Sequence, residues 1–165
     1  MPEKQTIERA KRDKRAGKAP TTQAGEFVRE EMHHIREGKH GARSTKQAIA
    51  IGLSKARRSG VKLRAPKKGQ TSEETRRSAE HALRRSRSGR KPSARRSGAI
   101  RTALRREGRT AASRSALSRQ AQSSAHKRGA GSLKAAAKKA VSTKGRAGRV
   151  AAARKAARTR KRKEG

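Results

Sequence analysis

EFVREEMHHIREGKHGARSTKQAIAIGLSKARRSG, residues 26–60, is the stretch on which the fold turns. Val28, Met32 and Ile35 recur in it at helical spacing and Phe27 widens the stripe, which predicts an amphipathic helix from Glu26 to Glu37. Glu26, Glu30 and Glu31 fall toward its expected N-terminal end, where carboxylates oppose the positive pole of the helix dipole. Gly38 and Gly41 mark a loop. Ser44 then opens a second helix, with Gln47 completing a capping-box pattern. Ala48, Ile49, Gly52, Leu53 and Ala56 share one face of that helix. Lys55, Arg57 and Arg58 lie near its C-terminus, Gly60 suits the position just past it, and Val61 supplies the apolar contact of a Schellman motif. Two helices joined by a short glycine loop make a helical hairpin, which at this size is marginal alone.

Working outward, residues 1–25 interleave Glu3, Glu8 and Asp13 with Lys4, Arg9, Lys11, Arg12, Lys14 and Arg15. Gly17, Pro20 and Gly25 interrupt any helical turn around Ile7, so a flexible charged leader is expected there. The hairpin module spans 26–63. Residues 64–128 read as basic helical segments with linkers. One helix starts at Ser72, has a thin edge of Ala79, Ala82 and Leu83, and is closed by Gly89 and Pro92. A second segment, Ser93 to Glu107, contains Ile100, Ala103 and Leu104, and a third, Thr110 to Lys127, contains Ala112, Ala116 and Leu117. An Ala-Leu-x-Arg run recurs at 82–85, 103–106 and 116–119, at spacings too uneven for a solenoid. Residues 129–165 are low-complexity Lys/Ala/Arg. These residues are strong helix formers, but crowded like charges oppose the helix in water, so a tail disordered alone and partly helical on a polyanion is expected.

Composition sets the expected fold class: mostly α with extensive disorder, a short N-terminal helical hairpin, weakly packed helices after it and a disordered basic tail. Leu, Ile, Val and Phe together number 16 in 165 residues. Ordering a residue costs roughly 1–2 kcal/mol of backbone entropy. A buried large apolar side chain returns at most about 1.5–3 kcal/mol.

The charge points to a partner. Lys and Arg number 49 against 12 Asp and Glu, a formal net charge of +37. Residues 1–60 carry 15 basic and 7 acidic side chains, and residues 61–165 carry 34 and 5. Such a chain repels itself unless a polyanion lies beside it, and cations docked on phosphates gain from counterion release. The candidate nucleic-acid-binding residues are Arg57, Arg58, Lys62, Arg64, Lys67, Lys68, Arg84, Arg85, Arg90, Lys91, Arg95, Arg96, Arg105 and Arg106. In the tail they are Lys138, Lys139, Arg154, Lys155, Arg158, Arg160, Lys161, Arg162 and Lys163. With Phe27 the sole aromatic, base-stacking recognition of single strands has no platform, which favours duplex DNA over RNA.

Other chemistry has less to stand on. Gly89-Arg90-Lys91-Pro92 resembles an AT-hook core, but Lys91 interrupts the Gly-Arg-Pro pattern and a helix-breaking linker accounts for it. His33, His34 and His40 invite a metal reading. Adjacent helical histidines point about 100° apart, however, and there is no cysteine, so no metal is expected. No nucleophile–base set, carboxylate pair or phosphate loop stands out, so neither an enzyme nor a cofactor is expected. The alanine-rich faces are too slight for membrane binding. No apolar signal core or membrane-length span is visible, so a cytoplasmic, nucleoid-associated location is expected.

Arg36-Glu37-Gly38-Lys39 and the run Ser44-Thr45-Lys46-Gln47-Ala48-Ile49-Ala50-Ile51-Gly52-Leu53-Ser54-Lys55-Ala56-Arg57 resemble the core of an uncharacterised domain of small basic bacterial proteins. That resemblance covers residues 36–60 and implies no established activity. The tail is similar in composition to bacterial histone H1-like proteins, which implies DNA binding. The expected function is therefore non-specific DNA binding by a histone-like, nucleoid-associated protein that neutralises phosphates and compacts the duplex. An RNA- or ribosome-associated basic protein is the alternative, and the 26–63 hairpin is a candidate site for a protein partner or self-association.

Overall fold

The computed structural model describes residues 2–88 and 93–164, and among these it is all helical, with no strand. Six α-helices follow in order: α1 Lys4–Arg15, α2 Pro20–Arg36, α3 Thr45–Arg58, α4 Glu73–Ser88, α5 Ala94–Arg105 and α6 Arg114–Glu164. A 3-10 turn, Thr110–Ala112, precedes the last.

The chain divides into two compact units, residues 1–120 and 121–165. In the first, α2 lies between α1 and α3, and α4 packs on α3. One apolar cluster gathers Ala10, Ala24, Phe27, Ala56 and Val61, with Ile7, Leu53 and Leu63 against it. A second gathers Met32, Ile35, Ala42, Ala48, Ala111 and Ala112, with Val28, Ile49 and Leu117. Alanine is therefore the main filler of the core. Small side chains return little per residue but let helix axes approach closely, and Gly52 takes this furthest: a Cβ there would lie 2.7 Å from the Cα of Val28.

Residues 104–112 return to close the second cluster. Gly41 donates its N–H to the Leu104 carbonyl at 2.8 Å and Ala42 to the Gly108 carbonyl at 3.0 Å. Arg36 Nε donates to the Ala112 carbonyl at 2.9 Å, and the buried Thr45 hydroxyl donates to the Ala111 carbonyl at 2.7 Å. These bonds join positions 63 to 76 residues apart along the chain and fix the α2–α3 loop to the turn before α6.

Extensive disorder and weak packing, expected from composition, are not what the chain adopts. The charged stretch 1–25 contains α1, which packs on α2 through Ile7, Ala10 and an Arg9 Nε–Glu26 ion pair of 2.8 Å. α2 begins at Pro20 rather than Glu26. Proline suits the first helical position, and Gly25, costing about 1 kcal/mol in a helix interior, is outweighed by burial of Ala24 and Phe27. Because the helix starts six residues earlier, Glu30 and Glu31 lie in its interior and are buried, not placed at its dipole.

The basic tail is helical too. α6 runs from Arg114 to Glu164, broken by non-helical glycines at Gly129 (φ 72°, ψ 164°) and Gly145 (φ 62°, ψ −178°). Its Ala, Lys and Arg content favours helix, and that propensity outweighs the like-charge repulsion on which disorder was expected.

Two local readings correspond to observed geometry. The Ser44 hydroxyl accepts from the Gln47 N–H at 3.2 Å, capping α3. At the other end Val61 N–H donates to the Ala56 carbonyl and Gly60 N–H to the Arg57 carbonyl, both at 3.1 Å, with Gly60 at φ 86°, completing a Schellman motif.

Candidate nucleic-acid interface

The second unit carries the densest charge. Residues 121–165 contain 15 Lys and Arg and a single acidic side chain, Glu164. Past Gly145 the helix places Arg154, Arg158, Lys161 and Arg162 within one face, with Ala147 and Ala151 interleaved on it. Arg146, Val150 and Lys155 complete a shallow open trough with Ala147, Ala151, Arg154 and Arg158. Lys138, Lys139, Arg154, Lys155, Arg158, Arg160, Lys161 and Arg162 are all exposed. Lys163 lies on the same helix. Alanines between the cations keep the surface low, so an extended polyanion can approach the helix backbone closely.

The first unit contributes cations of two kinds. Lys62, Arg64, Lys67 and Lys68 are exposed on the segment after α3, Arg84 on α4, and Arg95, Arg96 and Arg105 on α5, with Arg106 at the α5 cap; Arg85 is half-buried. Arg57 is different. It is buried, and its guanidinium donates to the carbonyls of Leu63 and Arg64, both at 3.3 Å, tying the end of α3 to the chain that follows. Burial holds its pKa below the ordinary arginine value. Arg58 is also held below its ordinary value, first by desolvation of its head group, although the residue as a whole is exposed, and then by the charge of Arg85, with Glu31 opposing. Arg90, Lys91 and the rest of the AT-hook-like run 89–92 lie outside the described residues.

A second polar constellation sits inside the first unit. Glu31 is fully buried and Glu30 nearly so, both on α2. Lys55 reaches across from α3, its Nζ 2.6 Å from Glu31 Oε2 and 3.5 Å from Glu30 Oε1. His40 Nε2 lies 3.1 Å from Glu31 Oε1, and His34 Nδ1 lies 4.0 Å from Glu30 Oε1. Glu3, at the start of α1, accepts from His34 Nε2 at 2.8 Å. His34, followed by Lys39, holds its carboxyl below the usual range. The turn of α2 directs His33 out to solvent, while Glu31, His34 and His40 offer one ligand atom each within 4.8 Å of one another. Glu31 was findable in the sequence. It falls four residues after Phe27 and four before Ile35, inside the apolar stripe, so a core position for it follows from spacing alone. His40 was not, because its placement depends on the path of the loop.

Residues 4–69 match a family of unknown function (DUF6496), a span that takes in α1, α2, α3 and the segment after them. No curated protein matches the chain, and no solved structure matches it. The first 69 residues thus contain a helical domain of uncharacterised type, and the basic residues beyond it lie outside the match.

Proposed function

We propose that the chain is a non-enzymatic, histone-like protein that binds nucleic acid, duplex DNA above all, through the phosphate backbone. The observation that carries this reading is the charge of residues 121–165: cations exposed along a helix that contains one carboxylate to answer them. The helical stretch after Gly145, from 146 to 164, is roughly 28 Å long at 1.5 Å per residue. Duplex DNA presents about one phosphate charge per 1.7 Å, so many phosphates lie within reach of that length. An α-helix also fits the major groove, and an alanine-rich one fits it without demanding particular bases. The likeness of the tail to histone H1-like proteins supports the same reading, as does the scarcity of aromatics on which single-stranded bases could stack. A cytoplasmic, nucleoid-associated location goes with this function.

The test is duplex affinity against salt for the full chain, with structured RNA as competitor. With six to ten phosphate contacts, affinity falls about 10³–10⁵-fold between 50 and 200 mM salt. A slope near zero overturns the proposal. A steep slope with a marked preference for RNA at matched salt replaces DNA by RNA and leaves the phosphate mechanism standing.

A further inference from the structure

We infer that Glu31, His34 and His40 form a site for a divalent transition-metal ion of the zinc type, which staples the α2–α3 loop and the start of α1 to the C-terminal half of α2. Four observations converge on it. The first is the facing of two acceptors. His40 Nδ1 lies 3.0 Å from the Gly41 carbonyl, which can only accept, so the ring proton of a neutral imidazole is on Nδ1. The lone pair of Nε2 then faces the fully buried Glu31 Oε1 at 3.1 Å. Two acceptors at that distance need a cation between them. The separation is close to the roughly 3.3 Å between two ligands of a tetrahedral ion with bonds of about 2.0–2.1 Å.

The second observation is the pair of outer partners. Metal-bound imidazoles almost always donate their other nitrogen to a carbonyl or carboxylate. His40 does so to Gly41, and His34 Nε2 is paired with Glu3 Oε1 at 2.8 Å, which leaves His34 Nδ1 facing Glu30 Oε1 at 4.0 Å. The third is the unanswered charge. Both Glu31 oxygens and Glu30 Oε1 are buried without an aligned hydrogen bond, although Lys55 Nζ stands within ion-pair distance. The Lys55 ammonium stands on the Oε2 side of Glu31 and the Arg58 guanidinium acts on it through charge alone, while Oε1, the oxygen turned to His40, has no hydrogen-bond donor. The fourth is access: a polar cleft lined by Glu3, Glu30, His34 and Lys39, together with Arg9 and Arg29, reaches one of the three ligands, His34.

Two nitrogens and one oxygen, with Glu30 or water as a fourth donor, suit zinc or cobalt. A core filled mainly by alanine gains from such a staple. The competing occupant of the same space is a proton, making His40 an imidazolium in a plain ion pair, and the experiment separates the two.

The full chain, stripped by chelator, is titrated with Zn²⁺ and separately with Co²⁺. Expected are saturable binding of one equivalent, a visible Co²⁺ ligand-field band of four-coordinate intensity, and a thermal unfolding midpoint that rises with free Zn²⁺. H34Q and H40Q lose the Co²⁺ band, E3Q weakens Zn²⁺ binding about 10–100-fold, and H33Q leaves it unchanged. Absence of saturable binding and of the cobalt band in the wild-type chain overturns the site whatever the variants do. So does a band that persists in H34Q and H40Q.

Discussion

Two glycines in the first unit are sites of close approach, and a third is not. At Gly52 a Cβ would come within 2.7 Å of the Val28 Cα, and at Gly41 within 1.8 Å of the Glu107 carbonyl oxygen. In both cases the obstacle is backbone, which cannot swing aside as a side-chain tip can. G52A is expected to destabilise by about 1–3 kcal/mol, the usual cost of overpacking, and G41A by at least as much. Gly25 lies inside α2, where an added Cβ would meet nothing within 4 Å. G25A should therefore stabilise by about 0.4–1 kcal/mol, by restricting the unfolded chain and favouring the helix. Thermal denaturation of the three variants checks the opposite signs; a stabilised G52A would mean that α2 and α3 are not in contact at Val28.

At the scale of elements, α3 is held at its start by the Ser44 cap and in its body by Lys55. S44A removes one acceptor from an exposed helix end and is expected to cost about 1 kcal/mol. K55M removes the ammonium from beside two buried carboxylates and leaves their charge uncompensated, so about 3–5 kcal/mol is expected in chelator-treated protein at neutral pH. Chemical denaturation of both reads the contrast, and equal losses would remove the buried pair from the account of stability. The two features differed in how plainly the sequence announced them. A cap, a C-terminal glycine and an apolar stripe are decided within a few residues, so α3 was legible almost to its ends. α1 and the start of α2 were not, because Gly17, Pro20 and Gly25 are read locally as breaks, while packing against Phe27, Ala56 and Val61 overrides them. The return of Ala111 and Ala112 onto Thr45 and Arg36 left no local trace at all. Among the candidate cations, Arg57 could not be told from Arg58 by sequence, since only the fold shows which of the two turns inward to the carbonyls of Leu63 and Arg64.

At the scale of the whole molecule, the two units differ in how far their cations are answered: residues 1–120 carry 34 Lys and Arg against 11 acidic side chains, and residues 121–165 carry 15 against one. Acidic side chains concentrate before residue 38, with seven of the 12 there, and they pair with Arg9, Lys18, Lys39 and Lys55 inside the first unit. The second unit has almost no internal counter-charge, and in the proposed function its cations are the ones that meet phosphate. This separation makes a clean prediction. Replacing Arg154, Lys155, Arg158, Lys161 and Arg162 together by glutamine removes five exposed charges without touching either apolar cluster. Each phosphate contact contributes about 0.9 to the slope of log affinity against log salt, so the slope should become shallower by about 4 to 5. The thermal midpoint of the first unit should stay where it is, because none of these side chains is buried. Duplex titrations across about 50–200 mM salt, paired with melting curves on the same sample, measure both. A slope unchanged by the five replacements would move the interface to the cations of α4, α5 and the segment after α3, while a shifted midpoint would show that the tail helps to hold the first unit together.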